Sequence, residues 1–124
     1  AMGDEYRERG EYVSAIREYE RALELNPRNS LAHFRLGQTF FEQHSYSNAA
    51  NSMREALNGD LQPEWIEVWA HIYLGKVYDI LGQRRRAEAE YQKALNTKVD
   101  YNGSLAEAQK YLEEPFSQPS SVLG

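Results

Sequence analysis

Cysteine is absent from this chain, and its absence excludes several kinds of chemistry. Without a thiol there is no disulfide framework, no thiolate zinc site and no cysteine nucleophile. The compartment stays open, because a chain without cysteine suits the cytoplasm and the periplasm equally. Long apolar runs are also missing. No stretch approaches the roughly 18 apolar residues that a membrane-spanning helix needs, so membrane insertion is not expected.

Basic residues are fewer than acidic ones. The chain has 14 Lys and Arg against 19 Asp and Glu, which gives a net charge of -5. Domains that bind nucleic acid usually carry a basic excess, so no nucleic-acid partner is expected. The remaining composition is that of a globular protein, with 41% hydrophobic and 12% aromatic residues. A length of 124 residues suffices for one domain with its own core.

The chain contains an internal repeat, which the distances in sequence between similar residues reveal. Three sets of landmark residues recur in the same order, and the members of each set are separated by 34 and then 38 residues. The sets are Tyr6, Phe40 and Tyr78; Ala15, Ala49 and Ala87; and Ala22, Ala56 and Ala94. Shared offsets indicate a unit of 34 residues, with four extra residues between the second and third units. Residues 58–63 are rich in turn formers and are the expected place of this insertion.

Each unit is predicted to contain two helices. In the second unit, apolar residues follow the mixed three- and four-residue spacing of an amphipathic helix over 31–41 and again over 49–57. The third unit repeats this pattern over 66–81 and 87–95. One unit cannot bury its apolar stripe alone, so neighbouring units are expected to stack.

This pattern resembles the tetratricopeptide repeat, a helix-turn-helix of 34 residues with small residues at fixed points. The matching residues of the first unit are Tyr6, Gly10, Ala15, Tyr19, Ala22 and Pro27. Those of the second are Leu36, Gly37, Phe40, Ala49, Met53 and Ala56, and those of the third are Leu74, Gly75, Tyr78, Gly82, Ala87, Tyr91 and Ala94. The resemblance implies an all-α, right-handed α-solenoid of about two and a half repeats plus a C-terminal capping helix. We expect it to be a bacterial-type segment of a longer protein.

The repeat register also predicts boundaries. We interpret Ala1-Met2-Gly3 as a cloning scar, placed before a first repeat that lacks most of its first helix. The expected segments are 1–3 for the scar, 4–28 for the truncated repeat, 29–62 for the second repeat, 63–101 for the third, 102–114 for the capping helix and 115–124 for a flexible tail. The first helix of the third repeat is expected to be extended, running from Pro63 to Leu81. Ser104 and Glu107 predict a capping box at the start of the capping helix.

Few residues favour catalysis or metal binding. His33 and His71 occupy equivalent positions of successive units, which favours a structural role, and Glu67 lies one turn before His71 as a potential hydrogen-bond partner. Two ligands do not make a zinc site, which needs three or four. Phosphate-binding glycine loops and catalytic-triad signatures are missing. We therefore expect no enzyme activity, no cofactor and no bound metal.

One basic run, Arg84-Arg85-Arg86, stands at the predicted start of a helix, where the helix dipole disfavours cations. It is either a solvated turn or a contact point for an anionic ligand.

The resemblance implies that the first helices of the units line a concave groove that receives an extended peptide or a partner helix. Carried onto this chain, the groove residues are Phe34, Gln38, Phe41, Trp69, Ile72, Tyr73 and Lys76. Exposed contiguous apolar surface usually marks an interface, whereas packing inside the array is the alternative for some of these residues. Trp65 and Trp69 either cover the junction between repeats or project toward a partner.

The expected function is therefore a non-catalytic protein-protein interaction module that binds a peptide or helix of a protein partner in this groove. The alternative is self-association into homo-oligomers, through exposed repeat ends or exchange of the tail.

Overall fold

The computed structural model describes residues 2–118 of the chain. Seven α-helices and no strands form this part of the protein. The helices are α1 (Met2–Glu8), α2 (Tyr12–Leu25), α3 (Ser30–Glu42), α4 (Tyr46–Leu57), α5 (Trp65–Ile80), α6 (Arg84–Asn96) and α7 (Ser104–Glu113). The predicted all-helical repeat architecture is confirmed. The predicted flexible tail falls in part on residues 119–124, which lie outside the described residues.

The helices stack in chain order. Each helix packs against the next one, and α5 also contacts α3 and α7, each of which is separated from it by one intervening helix. Contacts confined to near neighbours in sequence are the hallmark of an α-solenoid. The largest core cluster lies where the second and third helix pairs meet, around Met53, Ala70, Leu74 and Tyr91.

A glycine at one repeat position lets the two helices of each pair approach closely. A Cβ atom built on that glycine would lie only 2.4–2.7 Å from a side chain sixteen residues further on, which is closer than real Cβ contacts. The pairs are Gly3 with Tyr19, Gly37 with Met53, and Gly75 with Tyr91. The large partner therefore fills the space that any other residue would take.

The first of these glycines corrects a predicted boundary. Met2 and Gly3 lie within α1, and Gly3 is buried against the Tyr19 ring. The prediction that these two residues stand outside the first repeat is wrong, because Gly3 occupies the same packing position as Gly37. Tyr19 also donates a hydrogen bond to Asp4, and burial together with this bond raises the pKa of Tyr19 to about 12.

The insertion between the second and third repeats is fixed to the start of α3. Ser30 is fully buried, its hydroxyl donates to the Ala56 carbonyl (2.6 Å), and it accepts from the Leu61 N–H (2.9 Å). The Asp60 carboxylate accepts from the backbone N–H groups of Ser30 and Gln62. These bonds fix residues 60–62 outside the helix, and α5 begins at Trp65 and not at Pro63 as predicted. At 16 residues it is still the longest helix of the described part.

The start of α7 also differs from the prediction. Ser104 is the first residue of the helix and not its cap, and its buried hydroxyl donates to the Val99 carbonyl (2.8 Å) and accepts from the Tyr101 N–H (2.9 Å). The capping box is not formed, since Glu107 instead pairs with Lys76 of α5. The capping helix thus reaches α5 as well as α6.

His71 fills a structural role, with a partner other than the predicted one. Its Nδ1 lies 2.8 Å from Glu90 Oε1 on α6, so the bond joins two helices rather than one turn of α5 to the next. Burial works against the ionised form of Glu90, but the hydrogen bond and charge of His71 and the charge of Lys93 outweigh it. The pKa of Glu90 therefore lies below its ordinary value of 4.5.

A pH dependence follows from this lowered pKa. The ionised form of Glu90 is favoured in the folded state, so its stabilisation is present above about pH 4.5 and is lost as the pH falls through the lowered value. We expect Glu90→Gln to decrease the free energy of unfolding by about 1 kcal/mol near pH 7 and by much less near pH 3. Urea unfolding at both pH values measures this, and a loss equal at both would contradict it.

Candidate functional site

Six of the seven predicted groove residues lie together on one face of α3 and α5, with Tyr73 at the centre. The Tyr73 ring meets Phe34 (5.7 Å between centroids) and Phe41 (5.3 Å) edge-on, and it lies 6.4 Å from Trp69. Gln38 Nε2 donates to the Tyr73 hydroxyl (3.1 Å), and Lys76 Nζ lies 5.5 Å from the centre of its ring. Burial raises the pKa of Tyr73 above its ordinary value, despite the opposing hydrogen bond from Gln38.

The seventh residue, Ile72, does not face the groove. It is fully buried with Val68 of the same helix, Ala94 of α6 and Ala108 of α7. Its assignment as a groove contact is wrong, because the capping helix packs over that side of α5. Phe34 is buried as well, at 1% exposure, but its ring forms the floor of an open cleft.

That cleft, called here the aromatic cleft, has a volume of about 320 Å³. Its lining residues are Phe34, Arg35, Gln38, Trp65, Trp69, Tyr73, Tyr101 and Asn102. Five of these eight residues are aromatic, which is an unusual concentration for an open surface. The cleft therefore offers broad ring faces together with the amide and guanidinium groups of α3.

The two tryptophans of the aromatic cleft are held by the turn before α7. Trp65 stacks on Tyr101, with the ring centroids 5.2 Å apart and the planes 8° from parallel. Trp69 Nε1 donates to the Tyr101 carbonyl oxygen (2.9 Å). Trp65 also meets Phe34 edge-on at 5.4 Å. These rings cover the junction between repeats and also line the opening of the aromatic cleft, while contact with a partner stays a prediction.

Arg35 and Tyr101 are cleft residues that sequence reasoning missed. The Arg35 guanidinium lies 5.5 Å from the Trp65 ring centre and donates to Gln38 Oε1 (2.7 Å). Its position three residues before Gln38, on the same face of the helix, was the available signal. Tyr101 comes from a turn outside any helical pattern, so no periodicity indicated it.

Arg84, the first residue of the basic run, has a role that neither prediction named, whereas Arg85 and Arg86 are exposed. Arg84 donates to both carboxylate oxygens of Asp79 (3.1 and 3.0 Å) and to the carbonyls of Tyr111 and Leu112 (2.8 and 2.7 Å) at the end of α7. A buried carboxylate and a helix C-terminus both favour a cation, which explains arginine at the first position of α6. Arg84 is thus engaged within the fold, while Arg86 lies over the Tyr78 ring at 5.6 Å.

Asp79 links α5 to α6 and to the chain after α7. Its side chain is 1% exposed, and besides Arg84 it accepts from the Tyr91 hydroxyl (2.8 Å) and the Phe116 N–H (3.0 Å). Burial and the Asp79 carboxylate raise the pKa of Tyr91 far above its ordinary value of 10. The Tyr91 hydroxyl therefore stays protonated and donates to Asp79.

Residues 115–118, here called the tail segment, lie against the groove beyond Tyr73. Phe116 meets Tyr111 edge-on at 5.1 Å and lies 6.2 Å from Phe41. Gln118 contacts the Tyr46 hydroxyl and lies 2.9 Å from His44 Nε2. Within the predicted flexible tail, Phe116 is thus held against α3, α5 and α7, and Gln118 against His44 and the start of α4.

Residues 2–118 contain no helix that is long and apolar enough to cross a membrane. They also contain no cluster of three or more His, Asp or Glu side chains arranged to hold a metal ion.

Comparisons with known proteins agree with the repeat geometry. A family model described as TPR repeat matches residues 3–44, and one described as Tetratricopeptide repeat matches residues 70–98. The chain is 26% identical over 100 residues to human Superkiller complex protein 3, covering 81% of this chain and 6% of that protein. It is 33% identical over 57 residues to human Tetratricopeptide repeat protein 6, covering 46% and 11%. The chain thus spans only a small part of these relatives.

Among solved structures, the crystal structure of MamA aligns with a TM-score of 0.46 at 22% sequence identity, over 91% of both chains.

Proposed function

The chain belongs to the tetratricopeptide repeat family, and from that premise we propose that it is a non-catalytic interaction module whose groove binds a peptide or helix of a protein partner. The aromatic cleft carries the proposal. Its volume of about 320 Å³ is at the lower end of the size of ligand pockets, and suits one or two side chains of a bound segment.

The composition of the aromatic cleft supports a protein ligand. Trp65, Trp69 and Tyr73 are only partly buried, so their rings are available for contact. Tryptophan and tyrosine are enriched among the residues that dominate binding energy. The Trp69 N–H and the Tyr73 hydroxyl already have partners in the chain, so the rings offer apolar contact without orphaned polar groups. A ligand with an apolar or aromatic side chain fits this surface best.

The proposal predicts a strong loss of binding when both tryptophans are truncated. A peptide is first selected on the intact chain from a displayed library, and its affinity is measured by calorimetry. Trp65→Ala combined with Trp69→Ala should raise the Kd at least about thirtyfold, because a single such anchor contributes about 2 kcal/mol or more. Retained affinity in the double variant would refute the proposal.

Leu25→Ala is the matched control. Leu25 is 91% exposed on α2, so this variant removes apolar surface of similar kind away from the cleft. It should leave the Kd unchanged. Unfolding curves of both variants show whether the helices remain folded.

Self-association by tail exchange is the second candidate, and one observation favours it. The tail segment already fits the groove of its own chain through Phe116 and Gln118, so the same contacts are available to the tail of another copy. Domain exchange of this kind is a common route to dimers. The two candidates differ in oligomeric state, since tail exchange requires a dimer and peptide binding does not.

A further inference from the structure

The tail segment leaves α7 in an extended conformation and turns back over the groove. Glu114, directly after the helix, has φ -140° and ψ 138°. From there Phe116 contacts the ends of α5 and α3, and Gln118 contacts the turn between α3 and α4 and the start of α4. In an extended strand, residues two apart point to the same side, so both side chains face the protein.

The ring of Phe116 lies in a seat formed by Phe41, Lys76, Asp79 and Tyr111, here called the Phe116 seat. Two of these residues contribute aromatic rings, at 6.2 Å and 5.1 Å from the Phe116 centroid. Lys76 Nζ lies 5.0 Å from the same centroid, within the range of a cation-π contact. Three helices, α3, α5 and α7, supply the seat, so it exists only in the stacked array.

The backbone of the bound residue is held independently of its ring. The Phe116 N–H donates to Asp79 Oδ2 at 3.0 Å, and the Asp79 side chain is 1% exposed. A bond to a backbone N–H does not depend on the side chain of the residue that donates it. The Phe116 seat therefore selects an aromatic ring attached to an extended backbone, with no further requirement on sequence at that residue.

The length of the connection favours occupancy by the same chain. Only two residues, Glu114 and Pro115, separate the last residue of α7 from Phe116. A short linker keeps a tethered group at an effective concentration on the order of millimolar, which exceeds the concentration of most free peptides.

We propose that the Phe116 seat is a recognition site for an aromatic residue within an extended peptide, and that the tail segment occupies it in cis as a built-in competitor. This inference rests on the proposed function, and it names the ligand class and the regulation of one end of the groove. A partner peptide with an aromatic residue must displace Phe116 before it binds there.

The experiment uses the full chain and a synthetic peptide with the sequence of residues 113–118, Glu-Glu-Pro-Phe-Ser-Gln. Binding is followed by chemical-shift titration of the isotope-labelled protein. If the tail segment fills about 90% of the seats, Phe116→Ala should lower the apparent Kd for the peptide about tenfold. The matched control Ser117→Ala changes an exposed neighbour and should bind as weakly as the intact chain.

Two further variants test the mechanism. Adding Phe41→Ala to Phe116→Ala should abolish the gain in peptide affinity, because it removes one aromatic ring of the Phe116 seat. Pro115→Gly makes the tail segment more flexible and leaves every residue of the Phe116 seat in place. It should also lower the apparent Kd for the peptide. This variant keeps the test valid if Phe116→Ala folds poorly. A peptide with alanine in place of phenylalanine should not bind.

Equal affinity of the intact chain and both tail variants for the peptide would overturn the proposal. Equal binding of the alanine peptide would do the same. Light scattering that shows a dimer for the intact chain and a monomer for Phe116→Ala would assign the seat to the tail of a second copy instead. If these arms fail while the selected peptide still depends on Trp65 and Trp69, the proposed function stands and only the cis competition is overturned.

Discussion

Gly75→Ala is expected to decrease the free energy of unfolding by about 2 kcal/mol or more. A Cβ atom at position 75 would lie 2.4 Å from Tyr91 Cε1 in a fully buried contact. The ring cannot swing away, because its hydroxyl is bonded to the buried Asp79. The higher helix propensity of alanine offsets about 1 kcal/mol of a larger overpacking cost. Thermal or urea unfolding measures the difference.

Gly37→Ala is the matched control for this prediction. Gly37 holds the same repeat position, but its neighbour is Met53, and the nearest atom is the terminal methyl at 2.7 Å. Methionine is flexible and adapts to irregular space, so this substitution should cost clearly less and approach neutrality. Similar losses for both variants would show that the rigidity of Tyr91 is not the cause. In a Tyr91→Leu background, Gly75→Ala should lose most of its effect.

Asp79→Ala is expected to decrease the free energy of unfolding by about 3 kcal/mol, the second large effect. The substitution removes the acceptor of Arg84, of the Tyr91 hydroxyl and of the Phe116 N–H together. Breaking one side of a largely buried ion pair costs more than the pair contributes, because the remaining charge keeps its desolvation cost. Chemical unfolding measures the loss, and a change below about 1 kcal/mol would contradict it.

The double variant Asp79→Ala with Arg84→Ala separates the charge effect from the lost hydrogen bonds. If the unpaired guanidinium causes most of the loss, the double variant should be less destabilised than the sum of the single variants, by about 1 kcal/mol or more. Asp79→Asn, which keeps the shape and one acceptor oxygen, should fall between the intact chain and Asp79→Ala. If the losses in free energy of unfolding of the two single variants simply add, the unpaired guanidinium is not the main cause and each residue acts through its own contacts.

The repeat register and the helical pattern were predictable because they are periodic. Landmarks such as Gly37 and Gly75 recur at fixed offsets, and the structure confirms an all-helical array. The family resemblance also placed Trp69 and Tyr73 in the groove. It failed for Ile72, since α5 packs against α3 on one side and against α6 and α7 on another. A residue near the boundary of two faces cannot be assigned by spacing alone.

The aromatic cleft was only half predictable. Its α3 and α5 residues follow the helical spacing, whereas Tyr101 comes from the exposed turn before α7 and stacks on Trp65 of α5. Phe116 and Phe41 are still further apart, at 75 positions in the chain, and no local pattern relates them. The role of Arg84 was missed for the same reason, because its partners lie in α5 and at the end of α7.

The unit length, the helix pairs, the small residues where paired helices cross and the family all follow from the amino-acid sequence. These features depend on residues within one 34-residue unit, where spacing translates directly into faces of a helix. Which helix faces stay exposed, and which residues cover the others, depends on how the units pack in the folded protein. The aromatic cleft and the Phe116 seat each combine side chains from three segments, and the bonds of Asp79 join side chains of α5 and α6 to the backbone of the tail segment. Such combinations form only when the units stack, and stacking depends on contacts between residues of different units.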